Sequence, residues 1–312
     1  MRICLYEFYL AEWRVLFRFF CFKAGIKLVF MSVIKKTKLS SYKQAPLPFF
    51  GQKRNFLKPF SNVLNEHIEG LGDGWTIVDV FGGSGLLAHT AKRLKPHARV
   101  IYNDFDNYTY RLANIKDINR LRRQLSDIVK HIPLKSKLDA DTKAKVINHL
   151  LSFDGYIDVA SLQTWLLFSG GRANNLTELI KQTFYNRLLR DDYSLAIDYL
   201  DGIEITSKSF DLLLPEYIDN ENTLLVLDPP YLFSDTRNYK NEENFRLTQF
   251  FKLVDTMRPP YILFSNAKSE ILEYINYAAD AQKEQFVNYS RISVKSPIGR
   301  GRVYEDYMIY KF

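Results

Sequence analysis

A short apolar run, Asn222-Thr223-Leu224-Leu225-Val226-Leu227, ends in Asp228-Pro229-Pro230-Tyr231, and this junction constrains the fold more than any other part of the chain. Six mostly apolar residues with β-branching read as a buried parallel strand. Two successive prolines offer no backbone N–H and hold φ fixed, so the strand cannot continue through them. The segment must leave the sheet there with its carbonyls exposed. In open α/β sheets, ligands bind outside the carboxyl ends of the strands. A carboxylate, outward carbonyls and an aromatic ring at such a place suit a planar base with an exocyclic amine. Acceptors take the amine N–H groups and the ring stacks on the tyrosine.

A second strand end carries a glycine loop. Ile77-Val78-Asp79-Val80 runs into Phe81-Gly82-Gly83-Ser84-Gly85, and a helix opens after it. Glycines allow positive φ and close backbone approach, and a helix N-terminus adds free N–H groups. The spacing matches neither the Walker loop nor the dinucleotide GxGxxG pattern, which disfavours a pyrophosphate ligand. Asn103-Asp104 ends the next strand, with Asp104 22 residues beyond Gly82. An acid at about that distance holds ribose hydroxyls in α/β nucleotide folds. The combination suits an adenosine ligand without phosphates, such as S-adenosylmethionine. The alternative is an ordinary strand–helix turn with Asp104 as a helix cap.

The order along the chain is that of an α/β protein. Gln52 to Gly70 reads as a helix, Trp75 to Val80 as a strand, Leu86 to Leu94 as a helix and Arg99 to Tyr102 as a strand. This is one crossover unit and implies a parallel sheet. Between Arg111 and Leu200 the strand signal fades. Ile115, Ile118, Leu121, Leu125 and Ile128 form a helical stripe there, beside Arg120, Arg122, Arg123 and Lys130. That stretch holds 14 Lys and Arg against 10 Asp and Glu, and Gly170-Gly171 breaks it. Strands resume at Thr223–Leu227 and Tyr261–Phe264, and a terminal pair is expected at Phe286–Val294 and Val303–Phe312. The implied division is an N-terminal extension and basic linker over 1–45, a catalytic domain over 46–110 and 201–312, and a helical insert over 111–200.

Across 312 residues the net charge is +8, which favours a polyanionic partner. Cys4 and Cys21 are the two cysteines, so a disulfide framework is excluded; a reducing, cytoplasmic setting fits. Residues 1–31 are rich in Phe, Leu and Trp. Charges from Glu7 to Lys27 interrupt them before they reach the roughly 20 apolar residues that span a bilayer. No membrane association is expected, and the functional protein is read as starting at Met31.

With both motifs in hand, the sequence from about Pro46 to Phe312 resembles the Dam-type (D12 class, α group) N6-adenine DNA methyltransferases, especially phage-encoded members. Pro48-Phe49-Phe50-Gly51-Gln52-Lys53 resembles the family's N-terminal cofactor motif. Asp79 to Gly85 resembles its glycine loop and Asp228 to Tyr231 its catalytic motif. The resemblance implies a Rossmann-like, S-adenosylmethionine-dependent fold with the insert as target-recognition region. It further implies that Phe49 or Phe50 covers the cofactor adenine and that Lys53 pairs with the cofactor carboxylate. Gly51 belongs to that motif. Asp79 and the loop Gly82, Gly83, Ser84 and Gly85 would line the methionine portion, Phe81 would belong to the cofactor site, and Asp104 would bind the ribose hydroxyls. Asp228 and Pro229, with Pro230 and Tyr231, would hold the target adenine. The chain departs from the pattern in having Phe where many members carry Trp, and Ser209 where many carry an acid.

Arg120, Arg122, Arg123, Arg300 and Arg302 are the candidate contacts to DNA phosphates. The five histidines are scattered without metal-ligand spacing, so no metal is expected. Two rival readings use the same fold: an RNA guanine-N2 methyltransferase, and a relative that binds the cofactor without turnover. A cytosine-N4 enzyme fits less well, because Ser usually replaces the Asp in those catalytic motifs.

Overall fold

Among the described residues a seven-stranded sheet organises the chain, in the order β3-β2-β1-β4-β5-β7-β6. The computed structural model describes residues 41–168, 170–230, 245–266, 270–297 and 303–312. The expected start at Met31, Tyr231, Arg300 and Arg302 lie outside the described residues.

β1 (Thr76–Asp79), β2 (Arg99–Asn103), β3 (Glu204–Thr206), β4 (Thr223–Leu227) and β5 (Tyr261–Asn266) run parallel. β6 (Ser290–Pro297) and β7 (Val303–Lys311) pair antiparallel, and β7 lies antiparallel against β5. β1, β4 and β5 are buried along their whole length. Strands covered on both faces show continuous apolar runs, not alternation.

One face carries α1 (Leu57–His67) and α2 (Leu86–Leu94). Phe56, Phe60, Leu64, Leu87 and Ala91 pack there on Ile77, Val226, Ile262 and Phe264. The other face carries α8 (Leu247–Thr256) and α9 (Glu270–Asp280). Phe250, Leu253, Ile271 and Ile275 meet Val78, Leu225, Leu227 and Leu263 there. Each fully buried side chain of this size contributes about 1.5–3 kcal/mol.

Between β2 and β3 the chain is helical: α3 (Tyr108–Ala113), α4 (Ile115–Val129), α5 (Ala140–Ser152), α6 (Val159–Leu166) and α7 (Leu176–Ile180). The stripe on α4 buries Ile118, Leu121 and Leu125, and Trp165 and Phe184 join them in one cluster. Leu47, Leu86 and Tyr108 belong to that cluster too. Asp139, Asp158 and Asn175 cap the starts of α5, α6 and α7 by accepting backbone N–H bonds. Such caps contribute about 1 kcal/mol each. Ser40–Phe312 forms one compact unit. Among the described residues no helix is long and apolar enough to cross a membrane.

The strands read from the sequence are present with small shifts at their ends. Phe286 falls in a 3-10 turn before β6. β3 leaves no mark in the sequence because it is three residues long, lies at the sheet edge and leaves Ile205 exposed, so it has no apolar pattern.

Candidate active site

Strand order reverses between β1 and β4, which are parallel neighbours with Asp79 opposite Val226. The crevice at such a switch point is where open α/β sheets take ligands. A cavity of about 330 Å3 opens there. The glycine loop, residues 49–53, the turn after β2, Lys208 to Asp211, Asp228, Pro230, Phe245 and Gln249 line it. That volume is at the lower end for a small-molecule pocket.

The glycine loop is close-packed. A side chain on Gly82 would run into the Tyr102 ring, and one on Gly83, whose φ is +48°, into the ring of Phe49. The loop closes with Gly85 N–H donating to the Gly82 carbonyl at 2.7 Å. Asp79, 1% exposed, lies beneath it. Ala88 N–H at the start of α2 donates to its Oδ2 at 3.2 Å, while Oδ1 is buried with no partner. Burial, and then the charge of Asp228, push the Asp79 carboxyl up to about 7, against the pull of the Ala88 N–H and Lys53. Burial also raises the Asp228 carboxyl above the usual range, opposed by Lys53.

Asp228 stands one residue past β4 and forms an ion pair with Lys53 at 2.6 Å. The Lys53 ammonium also donates to the Gly51 carbonyl at 3.2 Å and lies 5.8 Å from the centre of the Phe264 ring. A part-buried arginine and a buried tyrosine position the segment that carries Lys53. Arg111 clamps Asp158 at 2.7 and 3.0 Å and donates to the Pro48 carbonyl at 2.7 Å. The Tyr108 hydroxyl donates to the Leu47 carbonyl at 3.0 Å and accepts the Leu47 N–H at 2.9 Å. Phe49 and Phe50, next along, both line the cavity, and Phe50 carries the Arg172 guanidinium 3.6 Å above its ring.

Phe49, Phe50, Gly51, Lys53, Phe81, Gly82, Gly83, Asp228 and Pro230 therefore meet at one cavity. Gly85 caps α2, Asp79 lies below the loop, and Pro229 is buried outside the lining.

Asp104 needs a correction. Its carboxylate is turned into the protein, 3% exposed. It accepts the backbone N–H of Tyr108 at 2.6 Å and of Thr109 at 2.9 Å, together with the Thr109 hydroxyl. It is a cap for α3, and Asp106 is the acid that lines the cavity after β2. Arg122 needs another. It is 6% exposed and gives its guanidinium to Asp192 at 2.6 Å and to the carbonyls of Leu189 and Arg190. Such a group staples the helical region and offers nothing to a phosphate. Arg120 stays partly exposed while bonding Asp154 at 2.6 Å and Asp117 at 3.2 Å, pairs of the weak surface kind. Arg123 is largely exposed, 3.7 Å from Asp192.

Several residues at the site were not singled out as site residues by the sequence. The Asn103 amide donates to the carbonyls of Val80 and Lys208, both at 2.8 Å, and accepts the Lys208 N–H at 2.9 Å. It ties the ends of β1 and β2 to the segment after β3. Ser209, Phe210 and Asp211 reach the cavity on that segment, and Phe81, Phe210 and Phe245 form an aromatic cluster beside it. Without β3 this segment could not be placed at a strand end. Among the described residues no group of His, Cys, Asp and Glu is arranged to hold a metal ion.

A central sheet with helices on both faces and a switch-point cavity behind a glycine loop defines a Rossmann-like α/β ligand-binding fold. The D12 class N6 adenine-specific DNA methyltransferase family matches residues 49–295, and the chain belongs to that family. A Haemophilus influenzae (strain Rd) protein provisionally described as a methyltransferase is 49% identical over 276 residues, covering 87% of this chain and 93% of its own. Among solved structures, a precorrin-6y C5,15-methyltransferase from Geobacter metallireducens is 9% identical with a TM-score of 0.34, over 87% of this chain and 96% of its own. A Clostridium thermocellum protein provisionally described as an rRNA methylase is 11% identical with a TM-score of 0.33, over 82% and 97%. Likenesses at that level say nothing about substrate. The family is one of methyltransferases, and it implies S-adenosylmethionine as methyl donor.

Proposed function

We propose that this protein transfers a methyl group from S-adenosylmethionine to the N6 amine of adenine in DNA. The observation that carries the reading is the Asp228 carboxylate, held at the β4 end on the wall of the switch-point cavity. It is a hydrogen-bond acceptor at the place where a planar base with an exocyclic amine would enter.

The cavity suits the methyl donor. Phe49 and Phe50 give flat apolar faces and Gly82 and Gly83 allow close approach, while Lys53, expected at the cofactor carboxylate, is paired with Asp228 instead. The buried, unpartnered Oδ1 of Asp79 favours a cationic group nearby. Asp106 is the acid on hand for hydroxyls after β2. S-adenosylmethionine supplies the methyl group on a sulfonium, a good leaving group, so the protein's task is positioning and electrostatics. Asp228 accepts an N–H bond from the amine, which favours a more pyramidal, nucleophilic nitrogen; it faces the positive charge that develops there and relays to solvent the proton that the methylated nitrogen sheds. The Pro229 carbonyl is the second acceptor and Tyr231 the stacking partner in this reading. The base must leave its stack at a cost of a few kcal/mol, which stacking partly offsets. The helical stretch 111–200 is the proposed target-recognition region, with Arg123, Arg300 and Arg302 as phosphate contacts. The net charge of +8 suits that partner.

The test is transfer of labelled methyl to unmethylated double-stranded DNA, with ribosomal RNA in parallel, followed by nucleoside mass spectrometry. N6-methyladenine in DNA is the expected product. N2-methylguanine in RNA, or cofactor binding without any transfer, would overturn the reading.

A further inference from the structure

A second carboxylate stands beside the Lys53–Asp228 pair. The register of β5 and β7 sets Asn266 against Asp306, Phe264 against Met308 and Ile262 against Tyr310. Residues directly opposite in an antiparallel pair point to the same face. Phe264, Ile262, Met308 and Tyr310 pack in the cluster under α1, so Asp306 belongs to that face too. Lys53 leads into the 3-10 turn before α1, with its ammonium over the Phe264 ring. Asp228 follows β4, on one side of β5; Asp306 is on β7, on the other. Neighbouring strands are about 4.8 Å apart, so a lysine above β5 reaches in both directions. The two charges are felt at Asp306: burial and Asp228 raise its carboxyl, and Lys53 lowers it.

We infer that Asp306 is a positioning residue, the second seat of the Lys53 ammonium, which frees Asp228 for the substrate. The inference rests on the reading of Asp228 as acceptor for the target amine. With Lys53 at 2.6 Å, Oδ2 of Asp228 is engaged by a cation, which draws charge from the whole carboxylate and weakens it as an acceptor for an incoming amine. Full removal of the lysine would leave a part-buried carboxylate uncompensated, which is costly. A carboxylate across β5 resolves the conflict. Lys53 swings toward Asp306, the net charge of the cluster is unchanged, and Asp228 regains Oδ2 and its full strength as an acceptor.

A double-mutant cycle at saturating S-adenosylmethionine tests this. Asp306→Asn removes the second carboxylate and biases Lys53 toward Asp228, so kcat on adenine DNA should fall about tenfold, while cofactor affinity changes less than about threefold. Asp306→Glu, which keeps the charge, should recover most of the rate. In a Lys53→Met background the Asp306→Asn penalty should vanish, because the residue acts through the lysine. An equal penalty in both backgrounds, or a wild-type rate for Asp306→Asn, would overturn the inference while adenine methylation by the wild type stood. A wild type that methylates no adenine would remove the reading of Asp228 and this inference with it. Circular dichroism and thermal unfolding of each variant separate misfolding from the effect, and Asp306→Glu supplies the comparison if Asp306→Asn does not fold.

Discussion

Asp104 and Asp228 begin alike: each is the first residue past a parallel strand, β2 and β4, on the same edge of the sheet. They end in opposite situations. Asp104 is consumed by its own chain, because α3 starts four residues later and its N–H groups turn back onto the carboxylate. Asp228 is followed by Pro229 and Pro230, which have no N–H to give. Among the described residues the cation that meets its carboxylate is Lys53, 175 positions earlier in the sequence. An acid at a strand end is spent when the residues after it cap themselves with it, and two prolines remove the two nearest N–H donors that could do so.

The largest expected effect separates the two acids by function. Asp228→Ala should lower methyl transfer by about 10²–10³-fold or more, with cofactor binding nearly intact. Labelled-methyl assays alongside calorimetric binding would show it, and full activity in this variant would falsify the assigned role. Asp104→Ala should instead act on stability, costing about 1–3 kcal/mol as the N–H groups of Tyr108 and Thr109 lose their acceptor. Urea unfolding measures that. Weaker cofactor binding at unchanged stability would show that Asp104 faces the ligand after all.

Pro230→Ala tests the reason for the difference. It gives the backbone a donor two residues after Asp228, where an Asx-type turn can form. A loss of about tenfold in kcat with little change in Tm is expected; an unchanged kcat would mean that the missing N–H is irrelevant.

The pH dependence of stability sharpens the comparison with Asp79. Its folded carboxyl titrates near 7 and the unfolded one near the usual carboxylate value. Between those values the folded state holds the extra proton, so this group's contribution falls as pH rises, by at most about 1.4 kcal/mol per unit. Asp79→Asn should flatten that slope in thermal melts, and an unaltered slope would point to another group. His89 acts in the other direction and more weakly. Tyr42 N–H donates to its Nε2, so the proton sits on Nδ1 and bonds the Tyr199 carbonyl at 2.6 Å. Burial lowers its pKa, so stability declines as pH falls below about 6.5, where the unfolded histidine takes up a proton first. His89→Gln should remove that acid limb of the melting curve.

Much of the sheet was readable along the chain. β1, β4 and β5 are buried on both faces, and their apolar runs announce them. Most of the cavity wall was readable too, since glycines, prolines and the aromatic pair Phe49-Phe50 carry their conformational or chemical reasons with them. β3 was not, because an exposed edge strand of three residues has no face to mark. With it went the segment Ser209 to Asp211. The arginines of α4 also resisted reading: Arg120, Arg122 and Arg123 look alike in sequence. Only the acids that fold back against them, Asp154, Asp117 and Asp192, decide which of them is spent.

By itself the sequence determined where strands end, where the backbone must turn sharply and which residues have no N–H to offer, because these are properties of single residues and short runs. The tertiary structure alone decided which charges meet. The Lys53–Asp228 pair, the capture of Asp104, the clamp of Arg111 on Asp158 and the Pro48 carbonyl, and the place of Asp306 across β5 join residues far apart along the chain. Burial raises what each meeting is worth, since a charge removed from water must find its partner inside the protein or lose its charge.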